Sequence, residues 1–304
     1  MSKRQRVEVK EEIQQRSTVS DHDDDAIIVV NAPTPANLCI ELQIQLLLCE
    51  SSVLAILDTF LAMKLNTEKN SELCKAFEKT DIFENLIKVL KETTTHHDQR
   101  EKIMEKTLKL FGDLTSKNEL MQQDFVQNGA IKAIAETMEL FLQNQNLLHN
   151  GARAIVNISC YYCENNKDDS LIQIFYDVIL KLFAEVMRRY PRNMRIQERI
   201  IACLFVITLK NDDMIEKVIQ MKFVEYTLDA LNENNLEDIY FSELSCKFLV
   251  NLTKNDTAKA CIREKDGTLI LAKIENLYRK KCNDEIADLA LEVINNVFTY
   301  KFTK

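Results

Sequence analysis

The sequence predicts an all-α, right-handed superhelical solenoid, and three observations carry that prediction. A short motif returns about every 45 residues, as LFGDLT (Leu110 to Thr115), AIVNIS (Ala154 to Ser159), LFVIT (Leu204 to Thr208), LVNLT (Leu249 to Thr253) and INNVF (Ile294 to Phe298). Its central residues, Asp113, Asn157, Val206, Asn251 and Asn296, are spaced by 44, 49, 45 and 45. The 304 residues contain only four glycines and three prolines, too few for hairpins or glycine-rich phosphate loops. From Leu38 onward the apolar residues keep a helical period almost to the end. Repeats of this length bury their apolar faces by stacking on one another, so the chain need not split into domains as its length alone would suggest.

Residues 1–36 are polar and charged, and close on Asn31-Ala-Pro-Thr-Pro35. They carry too little apolar surface to offset the entropy of ordering, and a disordered tail is expected. A degenerate leading repeat follows in 38–66, and the helical repeat domain spans 37–304. The clearest copy runs from Glu119 to Tyr162. A short helix through Gln122 is stopped at Gly129, which suits a left-handed C′ position. Ala130 to Leu142 then forms an apolar helical face, and Leu147 to Tyr161 a third helix. In later copies Met221-Lys-Phe223 precedes a helix from Val224 to Leu231. Lys265-Asp-Gly267 precedes one from Thr268 to Tyr278, and Gly267 stands 29 residues before Asn296 as Gly129 stands 28 before Asn157. The copy in 166–211 departs most, with extra residues around Tyr190-Pro191 and Val206 in the asparagine position. His96-His97 falls in a polar stretch read as loop.

No apolar run reaches the roughly 18 residues a membrane span needs, and no hydrophobic signal segment follows Met1, so neither a membrane nor a secreted location is expected. Nine scattered cysteines predict buried, reduced thiols in the nucleus or cytoplasm. Cys160-x-x-Cys163 finds no second pair of zinc ligands, and no metal or cofactor is expected. A net charge of −8 argues against a general nucleic-acid binder. Phosphate loops, nucleophile elbows and H-E-x-x-H are absent, so no enzymatic activity is expected.

Phe125-Val-Gln-Asn-Gly-Ala-Ile131 followed by Gly151-Ala-Arg-Ala-Ile-Val-Asn-Ile-Ser159 resembles an armadillo repeat, of the β-catenin-like superfamily. That resemblance covers most of 38–304, about five repeats after the degenerate leading one, with paired HEAT-like helices as the alternative. It implies that third helices line a concave groove and that their asparagines bind the backbone of an extended peptide. The role carries over to Asn157, Asn251 and Asn296, with Asp113 as a substitute. A carboxamide offers a donor and an acceptor to an unpaired peptide backbone; the plainer alternative is that these asparagines end their helices. One turn earlier stand Lys109, Arg153, Ala202, Lys247 and Glu292. Import-receptor grooves that resemble this one carry tryptophan there, and this chain has none. Lys109, Arg153 and Lys247 look more like a cationic groove for an acidic partner. The expectation is that the three asparagines are partly exposed together beside those cations.

Three signals crowd the tail. Lys3-Arg4-Gln5-Arg6 fits a nuclear-import pattern, and Val9-Lys10-Glu11-Glu12 fits ψ-K-x-E, with Lys10 as an acceptor for the small ubiquitin-like modifier, SUMO. Asp21 to Asp25 lead into Ile27, Ile28, Val29 and Val30, four residues favouring a strand in a chain with no sheet to receive it. Addition to a partner's sheet edge would satisfy them, and the arrangement resembles a SUMO-interacting motif. The aspartates are also expected to compete for the groove through Lys109 and Arg153. The function expected is thus a non-catalytic scaffold or adaptor linked to SUMO signalling. The alternatives are a nuclear-transport-type cargo receptor, or a regulatory or substrate-receptor subunit of a ubiquitin-type ligase.

Overall fold

The computed structural model describes residues 50–64, 82–92, 97–116, 119–165, 173, 178–209, 211–234 and 236–299. Among them lie fourteen helices and no strand. They fall into two compact units that meet in sequence at Asn165 and Asn166. The first holds α1 (Glu50–Lys64), α2 (Ile82–Glu92), α3 (His97–Leu114), α4 (Glu119–Gln127), α5 (Ala130–Leu140) and α6 (Gln145–Asn165). The second holds α7 (Leu180–Arg189), α8 (Met194–Thr208), α9 (Asp212–Gln220), α10 (Phe223–Glu233), α11 (Ile239–Leu252), α12 (Asp256–Glu264), α13 (Gly267–Lys280) and α14 (Asp284–Phe298).

Three complete repeats are visible as a short first helix, a second and a long third: α4–α5–α6, α9–α10–α11 and α12–α13–α14. Third helices pack side by side, α1 on α3 and α3 on α6 in the first unit, α8 on α11 and α11 on α14 in the second. Their cores are aliphatic with phenylalanine at the joints. Phe111 of α3 meets Phe125 of α4 edge to face at 4.5 Å between centroids. Helix starts are fixed by short polar side chains that accept the orphan N–H groups of the first turn. Asn144 accepts from Leu147, Asn211 from Met214 and Asp238 from Phe241, at 2.8, 2.9 and 2.8 Å.

The sharp corner between first and second helices needs one left-handed residue, and the three complete repeats meet that need differently. Gly129 takes it at φ 71°, as its place after α4 predicts. Lys222 (φ 65°) and Asp266 (φ 54°) take it in the other two, although both carry a Cβ. The pairing of Gly267 with Gly129 is therefore corrected by one residue, since Gly267 is already the first residue of α13. His97 likewise lies in α3 and not in a loop. The extra residues at Tyr190-Pro191 form the turn between α7 and α8. The buried Gln197 carboxamide donates to Tyr190 O at 2.8 Å and Asn234 donates to Pro191 O at 2.7 Å, so the insertion is tied on both sides. The expected tail and the start of the leading repeat lie outside the described residues.

A left-handed non-glycine residue is strained by about 1–2 kcal/mol, partly offset in a glycine variant by the looser unfolded chain. Lys222→Gly and Asp266→Gly are each expected to raise unfolding free energy by about 0.5–1 kcal/mol in urea titrations. Gly129→Ala is expected to lower it. Destabilisation by both glycine variants would contradict this account of the corner.

Candidate functional site

The recurring asparagines join third helix to third helix. In the first unit, Asn157 Nδ2 donates to Gly112 O at 2.9 Å and to Thr115 Oγ1 at 3.3 Å. In the second, Asn251 Nδ2 donates to Thr208 O and Oγ1 at 3.0 and 2.9 Å, and Asn296 Nδ2 to Thr253 Oγ1 at 3.1 Å. Each acceptor is the hydroxyl two residues after the motif centre of the preceding repeat. That hydroxyl in turn donates into its own helix, as Thr208 does to Leu204 O at 2.7 Å. The sequence signal for these threonines is their place as the last letter of LFGDLT, LFVIT and LVNLT. Val206 stands in α8 where the donor would be.

The expected shared exposure fails for this reason. Asn157 is 0% exposed and Asn251 5%, while Asn296 alone is half-exposed. Asn157 lies well inside α6, so ending a helix is not its role either. Lys254 Nζ donates to Asn251 Oδ1 at 2.8 Å, and Asn157 Oδ1 is buried without a partner.

The three cations fare differently again. Arg153 is 3% exposed and ion-paired with Asp113, which α3 presents from the preceding repeat. Its guanidinium lies flat over Gly112, where a Cβ would come within 2.5 Å of Nε, and Nη2 also donates to Lys109 O at 3.2 Å. Asp113 is thus a counter-ion, not a stand-in for asparagine. Lys247 is half-exposed and ion-paired with Glu243 one turn back. Lys109 is half-exposed. With Arg153 buried against Asp113 and Lys247 paired with Glu243 at the surface, a groove of free cations is not what these residues form, and Arg153 offers no charge to the tail. Lys3 to Arg6, Lys10, Asp21 to Asp25 and Ile27 to Val30 lie outside the described residues.

What the third helices leave open is clearest on α11. Ile239, Glu243, Lys247 and Val250 share one stripe, continued by Lys254 just beyond the helix, and every other residue of α11 is buried. One repeat on, the same positions are Asp284, Asp288, Glu292, Asn295 and Thr299, all exposed. In α6 that stripe (His149, Arg153, Val156, Cys160) is buried.

Among the described residues no cluster of three or more histidine, cysteine or carboxylate side chains is placed to hold a metal. No described helix is long and apolar enough to cross a membrane. Cys160, Cys203 and Cys246 are buried as expected, whereas Cys261 is half-buried and Cys282 exposed. Burial, with Glu243 nearby, pushes the Cys246 thiol up to about 12. Burial and the Glu225 carboxylate do the same for Cys261, so neither supplies a thiolate at neutral pH.

The Arg153–Asp113 pair yields a stability test. Removing one partner of a buried pair strands the other charge, at a cost of about 3–5 kcal/mol. Arg153→Met should lose that much in urea denaturation, and Arg153→Met with Asp113→Leu should recover most of it. Lys106→Met, which breaks the more exposed pair with Asp58, should cost less than about 1 kcal/mol. Equal losses for the two single variants would remove the distinction.

No protein-family profile matches the chain, and no curated protein sequence does. Solved structures do match. A designed armadillo repeat protein is 14% identical, with 86% of this chain and 99% of that one covered at a TM-score of 0.65. Computationally designed armadillo repeat proteins for modular peptide recognition give 14%, 86%, 98% and 0.65 by the same measures. A designed armadillo repeat protein in complex with the peptide (KR)4 gives 14%, 87%, 100% and 0.64. At that identity the likeness concerns architecture alone, and it settles that architecture: the chain has an armadillo-type helical repeat fold.

Proposed function

We propose that the chain is a non-catalytic protein-binding scaffold that holds an extended partner segment along its third helices. The open stripe of α11, continued in register on α14, carries the reading. A partner lying across both helices meets Val250 as an apolar floor and the half-exposed Asn296 as a carboxamide. Around them are charges of both signs, Glu243, Lys247 and Lys254 on one repeat and Asp288 and Glu292 on the next. The mixture supports a partner that is extended and of mixed charge, not one selected for acidity. That the comparison proteins include designs for peptide recognition, one of them in complex with a peptide, is consistent with this use of the fold.

The proposal extends to the tail. Lys10 as a SUMO acceptor and Ile27 to Val30 as a SUMO-binding strand, beside the basic Lys3 to Arg6, would place the scaffold in nuclear SUMO signalling. This part rests on the sequence pattern alone.

The two parts are tested separately. Partners captured by the intact chain in proximity labelling should be lost with Val250→Arg plus Asn295→Arg and kept with Lys273→Glu, which changes an exposed residue on α13. An unchanged partner set in the stripe variant would end the groove reading. Titration of the full chain with free SUMO should shift NMR signals of residues about 21 to 31, and Ile27→Ala with Val29→Ala should abolish those shifts. Absence of shifts in the wild type would end the SUMO reading and leave the groove untouched.

A further inference from the structure

The first unit carries a notch of about 210 Å³ bounded by α2, α3 and α5. It is lined by Leu140, by the buried Leu90, Met104 and Phe141, and by Ala133, Glu136 and Thr137, and its rim carries Lys91 and Arg100. Leu140 is 57% exposed although it lies beside fully buried neighbours. The Arg100 guanidinium stands 5.9 Å from the centre of the Phe141 ring, and its Nε is buried without a hydrogen-bond partner. Neither Lys91 nor Arg100 is held by a carboxylate among the described residues, while Glu136, at the same notch, is engaged by Lys132 at 3.8 Å.

A second notch shows that this is not a general property of the repeats. Between α7 and α10 in the second unit lies a space of about 200 Å³ lined by Arg188, Tyr226, Asp229 and Glu233. There Arg188 is held by Glu185 at 2.8 Å and Arg192 holds Glu233 at 2.8 Å. Burial raises the Asp229 carboxyl, against the pull of Lys265. That notch is acidic with its arginines engaged. In the first, Lys91 and Arg100 have no carboxylate partner among the described residues.

We propose that the notch between α2, α3 and α5 is a docking site for a partner peptide that carries a large apolar side chain next to carboxylates. The volume favours a single side chain, being below the roughly 300–1,000 Å³ of small-molecule sites. Leucine or phenylalanine fills the space between Leu90, Met104 and Leu140 and removes Leu140 from water. A flanking carboxylate meets the half-exposed Arg100 guanidinium, and Lys91 supplies a second, outer charge. The residues that line this notch are not those of the α11–α14 stripe.

The test uses the full chain at low salt with a labelled peptide, Asp-Asp-Leu-Phe-Asp-Asp, and its isosteric control, Asn-Asn-Leu-Phe-Asn-Asn. Anisotropy should show the acidic peptide binding at least about tenfold more tightly than the control, with the difference shrinking as salt rises. Lys91→Gln with Arg100→Gln should weaken it about tenfold, and Lys247→Gln should leave it unchanged. Should the double variant unfold, methyl NMR of the wild type decides: signals of Met104 and Leu140 shift with the acidic peptide, and that of Met187 does not. No binding at millimolar peptide, equal binding of the control, or shifts confined to other methyls would each overturn the proposal. Loss of binding in Lys247→Gln would reassign the peptide to the third-helix stripe.

Discussion

The hydrogen bond from an asparagine on one third helix to the hydroxyl near the end of the preceding one is the constraint on which the rest of the repeat is arranged. It links residues 42 to 43 apart across a buried seam, so the helices can slide past one another only by breaking it. Within the seam the threonine oxygen both accepts from the asparagine and donates to its own helix, so the hydroxyl is satisfied where water is excluded. Aliphatic burial supplies the bulk of the cohesion, since the side chains around these bonds are nearly all fully enclosed. The bond adds register, which non-directional burial does not.

A second device works at the seam between α3 and α6. Here an asparagine bond and an ion pair lie side by side, Asn157 reaching Gly112 and Thr115 while Arg153 reaches Asp113. The two charges lie almost wholly out of water, so each makes the other tolerable and neither is available to a ligand. At the surface the same economy appears in milder form, with Glu243 beside Lys247 on a half-exposed turn. The third helices therefore present less net charge to a partner than their lysines and arginines suggest.

Much of the fold was legible because its signals are periodic. The recurrence of Asn157, Asn251 and Asn296 located three third helices, and Gly129 located a corner. The left-handed residues Lys222 and Asp266 were not legible, because nothing in their side chains asks for that conformation; the tertiary packing of the flanking helices imposes it. Site assignment met a harder limit. Whether Arg153 faces solvent depends on Asp113, 40 residues away, and on the missing side chain at Gly112 that lets the guanidinium lie flat. A single sequence read along one helix face shows the cation and not its distant counter-ion. Lys247 misled less, since Glu243 is its neighbour at the familiar four-residue spacing.

The seating of Arg153 over Gly112 bears on how freely repeats of this chain could be shuffled. Gly112, Asp113 and Arg153 form a three-residue lock divided between two modules, and any graft that brings one half without the other strands a charge or drives a side chain into a guanidinium. The joints at Thr208–Asn251 and Thr253–Asn296 share one grammar, hydroxyl on the earlier module and carboxamide on the later, and are mutually compatible as connectors. An engineer lengthening this protein would duplicate the module that holds α9, α10 and α11, which carries a connector of that kind at each end.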